Sequence, residues 1–445
     1  MRPDLDVLAG HHDGARAGRC PTQAPLPDLL FALPDNLIVP RPSPSPRKRP
    51  RMTTSSIDLF CDATLADPYP RYAELRAQGS AIHLTEHDAW ALPRYADVRA
   101  ALTDPRVVSS LDDIALAPEA DRDTPAGTVL ACDGPDHARL RRVLSRQRAR
   151  PATDALTADV HRRADMLVRE LVERETFDAA RDLAQTLVAD VVLDLMGLPA
   201  TTRDSLIGNA AATFGPANGR YAAARPAAAA MFAFLNDVVT PDVVRPGSWL
   251  ATTYTAADAS GITREEVVPL MSTYITAGMD TTIHGISTAI HLLAAHPGQF
   301  ASLRNRRVTA DRVFHEALRF DAPIQAFEGR VTRDVTVDDT RIPSGERVLL
   351  LYGSAGRDER RWGESADRFD AHRPDSDRHL ALGAGPDLCA GNTLAVLQAR
   401  AVLTALARRC TRIRPTGTAE RAVNNVLRGW ERLPLDVTPD GRRTA

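Results

Sequence analysis

The sequence contains few of the residues that mark several classes of protein. Its five cysteines are scattered along the chain and form no C-x-x-C pair. This arrangement argues against a disulfide framework or a structural zinc site and favours a reducing cytoplasm. No stretch approaches the roughly 20 consecutive apolar residues that cross a bilayer. We therefore expect a cytoplasmic protein that makes no contact with a membrane.

The chain also lacks a strong charge of either sign. Its formal net charge is −2, which argues against a protein that coats nucleic acid or a charged membrane surface. Lysine is almost absent, because Lys48 is the single example, and we draw no functional conclusion from that bias. Apolar residues make up 44% and charged residues 25% of the 445 residues. These proportions are typical of a globular protein with a large core.

The N-terminal 51 residues differ from the rest of the chain. They end in 40-PRPSPSPRKRPR-51, a tract that cannot bury apolar surface and is predicted to be disordered. One interpretation is a basic targeting or docking signal. The other, which we favour, is an extension upstream of the native start, because Met52 opens a more ordinary sequence. The folded domain is predicted to comprise residues 52–445.

The remainder is predicted to be mainly helical, because alanine- and leucine-rich segments recur with helical periodicity. The longest predicted helix runs from about Thr263 to His296. Thr263 and Glu266 have the spacing of a capping box, and Pro297 ends the helix. Alternating valines predict short strands over residues 329–353.

The segment 380-LALGAGPDLCAGNTLAVLQAR-400 places Cys389 between a glycine-rich loop and a predicted helix. Glycines at 383, 385 and 391 permit positive φ angles and close approach of the backbone. The N-terminus of a helix favours the thiolate form of a cysteine, and a thiolate is an axial ligand for haem iron. A buried thiol beside a turn is the alternative at this point.

The long helix contains 276-TAGMDTTIHG-285, in which an acid and an alcohol are adjacent. Ala277 and Gly278 are small enough for a flat ligand or dioxygen to lie against the backbone. In an apolar helix, Asp280 and Thr281 are costly unless water or a proton path uses them. The pair indicates either proton delivery or a local kink with side-chain-to-backbone hydrogen bonds.

Two charged pairs lie at helical spacing. Glu316 and Arg319 are three residues apart and can form an ion pair. His137 and Arg141 are four residues apart, so one helix face can bind a carboxylate or a phosphate. Each pair alone is weak evidence, and a solvated basic face is the alternative for the second.

Together, in this order and spacing, the four features resemble the cytochrome P-450 family of haem-thiolate monooxygenases, in its soluble bacterial type, from about Asp67 to Val437. The cysteine loop is similar to F-G-x-G-x-[H/R]-x-C-x-G, and 277-AGMDTT-282 is similar to A-G-x-[D/E]-T-T. The resemblance implies a mainly α fold with small β-sheets. This is a single large cytochrome P-450 fold in which a long central helix crosses the haem.

The resemblance also implies a cofactor, haem b, with Cys389 as the axial ligand of the iron. His137, Arg141 and Arg330 are implied as contacts of the haem propionates.

Two residues depart from the family pattern. Leu382 replaces the usual aromatic residue under the haem, which weakens packing near the sulfur but keeps the position apolar. Asp387 stands where a histidine or arginine normally faces a propionate, and its carboxylate would repel that group unless it turns away, is protonated or finds a cation.

Further roles follow from the resemblance. Asp280 and Thr281 would relay protons during oxygen activation. Glu316, Arg319 and Arg368 would form a structural ion-pair triad that supports the cysteine loop. The residues expected to line the substrate pocket are Ala277, Ile324, Phe327 and Val426.

The implied function is insertion of one oxygen atom of dioxygen into a small to medium hydrophobic substrate, as a hydroxylation or an O-dealkylation. No flavin or iron–sulfur pattern is present, so electrons are expected from a ferredoxin and its reductase. A monomer is expected. The alternatives are a non-catalytic haem-thiolate protein that binds or senses ligands, and a peroxide-driven variant of the enzyme.

Overall fold

The computed structural model describes residues 52–441, apart from 105–107, 110–128, 130–131, 147–149, 200–229 and six positions from 231 to 241. Residues 50–445 form one compact unit. The predicted disordered extension, residues 1–51, lies outside the described residues, and our interpretation of it stays a prediction.

Helices dominate the described residues. They are α1 Asp62–Ala66, α2 Tyr69–Gln78, α3 Tyr95–Thr103, α4 Gly134–Arg146, α5 Arg150–Val172, α6 Thr186–Met196, α7 Trp249–Thr255, α8 Ala257–Ser260, α9 Arg264–Ala295, α10 Pro297–Arg304, α11 Ala310–Phe320, α12 Tyr352–Ala355, α13 Glu359–Trp362 and α14 Asn392–Arg409. A π-helical segment, Ala179–Gln185, leads directly into α6. Short 3-10 turns occupy Ser376–Arg378 and Gly385–Asp387.

The strands form small sheets. They are β1 Thr54–Ser55, β2 Ile82–Leu84, β3 Ala89–Leu92, β4 Val108–Ser109, β5 Thr176–Asp178, β6 Phe327–Val331, β7 Val335–Val337, β8 Thr340–Ile342, β9 Arg347–Leu350, β10 Cys410–Pro415, β11 Glu420–Arg421, β12 Trp430–Arg432 and β13 Pro434–Pro439. The largest sheet has the order β1-β2-β3-β9-β6-β4, and a second has the order β10-β13-β5. Within the first, β6 and β9 are antiparallel and Phe327 pairs with Leu350. The strands predicted near residues 329–353 are therefore present.

Helix α9 matches the predicted long helix at both ends. At its start, the backbone N–H of Glu266 donates to Thr263 Oγ1 at 3.4 Å, and that of Thr263 donates to Glu266 Oε2 at 2.8 Å. This is the predicted capping box, and it satisfies two backbone donors that a helix start otherwise leaves open. The helix stops at Ala295, two residues before Pro297, because the residue before a proline disfavours helical backbone angles.

Most faces of α9 are buried. Leu270, Met279, Ile286 and Ile290 are at most 1% exposed, and the helix packs against the π-helical segment, α6, α11 and α14. A Cβ atom at Gly285 would lie 3.1 Å from the ring of Phe314 in α11, so the glycine permits this close contact. Side chains on α9 are thus held on a rigid element, which favours a well-ordered site.

The observed architecture confirms the predicted fold class, a mainly helical domain with small sheets and a long central helix. In the part of the chain that the structure describes, no helix combines the length and the apolar character needed to cross a membrane.

Candidate functional site

A cavity lies between α9, α11 and the loop that carries Cys389. It has about 1880 Å³ of space free of protein atoms, including its opening to solvent. Its walls are largely apolar. The lining residues used below are Leu102, Cys132, His137, Arg141, Thr273, Ala277, Gly278, Thr281, Phe314, Leu318, Ile324, Phe327, Leu382, Asp387, Cys389 and Ala390.

The loop before Cys389 is shaped by two glycines. Gly383 has a φ angle of 73° and Gly385 one of 66°, values in the left-handed region that side chains disfavour. A Cβ at Gly385 would also lie 2.7 Å from the carbonyl oxygen of Leu102 at the end of α3. The backbone N–H of Cys389 donates to the carbonyl of Leu382 at 2.8 Å. The glycines therefore allow the loop to close tightly and to present Cys389 to the cavity.

Two cysteines line the cavity, and their surroundings differ. Cys389 lies just before α14, whose N-cap is Gly391, so the positive end of the helix dipole favours a thiolate there. Cys132 also precedes a helix, since α4 begins at Gly134, but its neighbours Asp133 and Asp136 are acidic. Burial, with a smaller contribution from Asp133, raises the pKa of Cys132 to about 11, so this side chain is a neutral thiol at neutral pH.

The cavity face of α9 is lined by small and hydroxyl-bearing residues. Ala277 and Gly278 leave open space, and no atom lies within 4 Å of the position of a Cβ at Gly278. The Thr281 hydroxyl donates to the carbonyl of Ala277 at 2.7 Å. Because its hydrogen is used in this way, Thr281 offers oxygen lone pairs to a donor in the cavity.

Thr273 is a cavity residue that the sequence analysis missed. Its buried Oγ1 has no hydrogen-bond partner within the described residues. It precedes Ala277 by one helical turn, and that spacing was the available signal.

Asp280 lies beside Thr281 but is buried behind the cavity wall. The residue is 8% exposed, and its Oδ2 has no hydrogen-bond partner among the described residues. Burial, with a smaller contribution from the negative charge of Glu431, raises the pKa of Asp280 to about 7. A carboxyl group with this pKa can both hold and release a proton near neutral pH.

The structure identifies the group opposite Asp387. The Nε2 atom of His137 lies 3.3 Å from Asp387 Oδ1, and Arg141 donates to the carbonyl of Leu388. Burial raises the pKa of Asp387, and burial also lowers the pKa of His137. The carboxylate of Asp387 therefore has the imidazole of His137, on α4, as its partner. His137 belongs to the pair, with Arg141, that the sequence predicts near the haem propionates.

The predicted pocket residues do not all reach the cavity. Ala277, Ile324 and Phe327 line it. Val426 is buried in the core, and its carbonyl accepts from the backbone N–H of Gln325 at 3.0 Å. Val426 is absent from the cavity lining as far as the described residues show, so the prediction that it lines the pocket is not supported.

Arg330 is not among the described residues that line the cavity. Its Nη1 donates to the carbonyl of Gly345 at 2.7 Å, across the turn between β8 and β9. The predicted propionate contact of Arg330 has no support in this geometry.

A charge cluster is buried beneath the site. Glu316 and Arg319 have no solvent exposure and form two hydrogen bonds, of 2.7 and 2.8 Å. Arg319 also donates to the carbonyls of Gly356 and Ala366. Such a pair is stable only when its remaining donors are satisfied in this manner.

The third member of the cluster is Arg373, and the assignment of this role to Arg368 was wrong. The Nε of Arg373 lies 3.2 Å from Glu316 Oε1, whereas the side chain of Arg368 is exposed. Arg368 contributes its backbone carbonyl, which accepts from Arg319 Nη2 at 2.8 Å. The two arginines are five positions apart. Tertiary packing, rather than local spacing, decides which side chain points towards Glu316.

The residues around the cavity fit a flat, apolar group with an acidic edge. The sulfur of Cys389, just before a helix, can supply one thiolate ligand, and a cysteine thiolate is a known axial ligand of haem iron. Leu382, Phe314 and Leu318 supply apolar walls, while His137 and Arg141 lie among the lining residues as partners for carboxylates. These features together match a haem with an axial thiolate.

Comparison with known proteins agrees with this fit. A family model described as "Cytochrome P450" matches residues 248–426. A protein from Rhodopseudomonas palustris named "Cytochrome p450 CYP199A2" is 36% identical over 389 residues, which cover 86% of this chain and 94% of that protein. A "Vitamin D(3) 25-hydroxylase" from Pseudonocardia autotrophica is 30% identical over 401 residues, covering 87% of this chain and 98% of that protein.

A solved structure supports the same assignment. The crystal structure of CalO2 matches with a TM-score of 0.77 and 29% identity, and the match covers 87% of this chain and all of that one. The fold and the cavity thus define a haem-thiolate protein. The chain belongs to the cytochrome P450 family, its cofactor is haem with an axial cysteine thiolate, and its class is monooxygenase.

The corrected charge cluster gives a matched pair of variants. Arg373→Gln removes a buried partner of Glu316 and should lower the free energy of unfolding by about 3–5 kcal/mol. Arg368→Gln alters an exposed side chain and keeps the carbonyl, so its effect should stay within about 0.5 kcal/mol. Urea denaturation checks both values. Equal effects of the two substitutions would contradict the assignment.

The buried carboxyl of Asp280 predicts a dependence of stability on pH. Its folded-state pKa of about 7 lies above the ordinary value of 3.8 for an aspartate, so the folded state binds more protons than the unfolded state between these values. The stabilising effect of protonation is therefore lost as the pH rises towards 7. Asp280→Asn should be more thermally stable than the wild type at pH 8, and this advantage should shrink by pH 4. Melting curves at both pH values measure it, and an advantage that grows at low pH would contradict the sign.

Proposed function

We propose that this chain inserts one oxygen atom of dioxygen into a small to medium hydrophobic substrate, by hydroxylation or O-dealkylation. The observation that carries the proposal is that Cys389 and Thr281, from separate elements, line one largely apolar cavity. A ligand for the iron and a residue for proton transfer thus face the same enclosed space, which is the arrangement that oxygen activation requires.

Cys389 is proposed as the axial ligand, with His137 and Arg141 as the residues nearest the propionates. When bound, the haem supplies iron-centred activation of dioxygen and the oxidising power for the substrate. The tight glycine turn and the hydrogen bond from the Cys389 backbone N–H fix the sulfur in place. Asp387, half-exposed and in contact with His137, is satisfied within the protein and need not oppose a propionate.

Asp280 and Thr281 are proposed to deliver protons. Asp280 holds a proton near neutral pH, because burial raises its pKa to about 7. Thr281 directs its lone pairs into the cavity, because its hydrogen is donated to Ala277. A hydrogen-bearing group in the cavity can thus be held by Thr281 while Asp280 supplies the proton.

The substrate is proposed to be hydrophobic because the lining is. Ile324 and Phe327 approach the cavity from the loop and strand after α11, and Ala277 approaches from α9. Thr273 adds one hydroxyl without a partner among the described residues, which can orient a polar atom of the substrate.

Electrons are proposed to come from a ferredoxin and its reductase. A peroxide-driven enzyme and a ligand sensor are the alternatives, and neither needs a proton relay from Asp280 to Thr281. The presence of that acid beside the cavity, with a pKa near neutral, favours the electron-driven enzyme. The scattered cysteines favour a cytoplasmic location.

Substitution of the two cavity cysteines tests the ligand assignment. Cys389→Ser should abolish the thiolate-type Soret band of the reduced carbonyl complex, because the sulfur donor is lost. Cys132→Ser is the matched control, since this residue lines the same cavity but is held as a neutral thiol. It should keep the band. Retention of the band in the Cys389 variant would show that another group binds the iron.

Thr281→Ala should uncouple electron use from product formation, because the cavity loses the hydroxyl that accepts a hydrogen bond. Thr281→Ser keeps the hydroxyl and should retain most of the coupling. The measurement is the ratio of product formed to NADPH consumed with a surrogate reductase system. A ratio in the alanine variant equal to that of the wild type would remove Thr281 from the proposed proton path.

A further inference from the structure

Helix α9 carries a second buried polar residue, one turn beyond Asp280. His284 follows Asp280 by four residues, so the two side chains lie on the same face of the helix. The Nδ1 of His284 and the Oδ2 of Asp280 are both shielded from solvent and lack a hydrogen-bond partner within the described residues. Leaving such groups without hydrogen bonds is destabilising, so packing alone does not account for the histidine.

The space for this imidazole is provided by Gly429, just before β12. A Cβ at Gly429 would lie 2.1 Å from His284 Nδ1. Gly429 is not among the residues with positive φ, so its backbone conformation does not require glycine. The glycine is required because the ring of His284 fills the position that a side chain would occupy.

Glu431 is an exposed acid two residues beyond Gly429. It lies on β12, its side chain is 57% exposed, and it pairs with Arg181 at 2.5 Å. Its negative charge raises the pKa of Asp280 and partly offsets the effect of burial on the pKa of His284, so the same acid acts on both residues. Arg421 is the other charged group that acts on His284, and it is paired with Asp321 at 3.0 Å.

We propose that His284 is a positioning and relay residue that passes protons from solvent at Glu431 to Asp280. The proposal rests on the proposed role of Asp280 as the proton donor for Thr281. The His284 imidazole takes a proton on one ring nitrogen and releases the proton on the other, and a ring flip or a tautomer exchange through water then restores the starting tautomer. No bond other than N–H and O–H bonds changes, and no net charge remains on the ring.

The state of His284 suits this role. Burial lowers its pKa to about 4, so the ring is neutral at neutral pH and has one nitrogen that accepts and one that donates. The residue as a whole is half-buried, whereas its Nδ1 is fully shielded. A neutral ring with one accepting and one donating nitrogen is the form that a proton relay requires.

His284→Phe tests the proposal, with His291→Phe as the matched control. Phenylalanine keeps a ring beside Gly429 and removes both nitrogens. His291 lies on the same helix, has a buried Nδ1 without a partner among the described residues, and stacks on Trp430 at 4.3 Å. It is seven residues further along than His284 and does not adjoin Asp280.

The readouts are product formation, its ratio to NADPH consumed, and the solvent deuterium isotope effect on turnover, each in the haem-loaded protein. Haem content and the substrate-induced spin-state shift report on folding and binding. His284→Phe should form product about 10-fold to 100-fold more slowly, with a larger isotope effect and unchanged substrate binding. His291→Phe should keep the wild-type isotope effect even if its stability falls.

Asp280→Asn distinguishes a failure of the relay through His284 from a failure of the proposed role of Asp280. If it is slow and shows a raised isotope effect while His284→Phe behaves as the wild type, the relay through His284 is refuted and the role of Asp280 stands. If both variants behave as the wild type, the role of Asp280 fails and the relay fails with it. If His284→Phe does not retain haem, Glu431→Gln decides: slower turnover with a larger isotope effect supports the relay, and wild-type values overturn it.

Discussion

The buried ion pair between Glu316 and Arg319 is the interaction on which the rest of the site depends. Neither side chain has any exposure, so each charge needs every partner that surrounds it. Arg319 satisfies its donors on the carbonyls of residues 356, 366 and 368, and Glu316 binds Arg373. The segment that bears these partners leads directly into the loop of Cys389. The position of the sulfur is therefore tied to a charge pair in the core, since separating the pair would leave an uncompensated charge in a dry environment.

Helix α9 combines two requirements that oppose each other. Its many apolar contacts hold it in place, and its buried Asp280 destabilises it at high pH, because the ionised carboxyl has no hydrogen-bond partner for Oδ2 within the described residues. The same burial gives that carboxyl a pKa near 7 and so suits it to proton transfer. The loss of stability and the proposed role in proton transfer have one physical cause, which is the removal of the acid from water.

Features that depend on local sequence were predicted well, and features that depend on tertiary contacts were not. The ends of α9 follow from a capping box and a proline, both of which act within a few residues. Arg368 and Arg373 are five positions apart in a segment that contains no strand. Only packing against Glu316 distinguishes the two side chains. The sequence indicated that Asp387 would repel a haem propionate. Its partner, His137, lies about 250 residues earlier in the chain, so the sequence alone could not identify it. His284 was visible at helical spacing from Asp280, but the reason to single it out is Gly429, which only the fold brings next to its ring.

Leu102 belongs to two surfaces at once. It lines the cavity, while its carbonyl oxygen occupies the space beside Gly385 that a Cβ would need. A molecule that presses on the cavity wall at the end of α3 thus acts, through one peptide unit, on the turn that sets the sulfur. Occupancy of the substrate space and the geometry of the iron ligand are mechanically coupled at this point, and a larger residue at 385 would break the coupling by forcing the two segments apart.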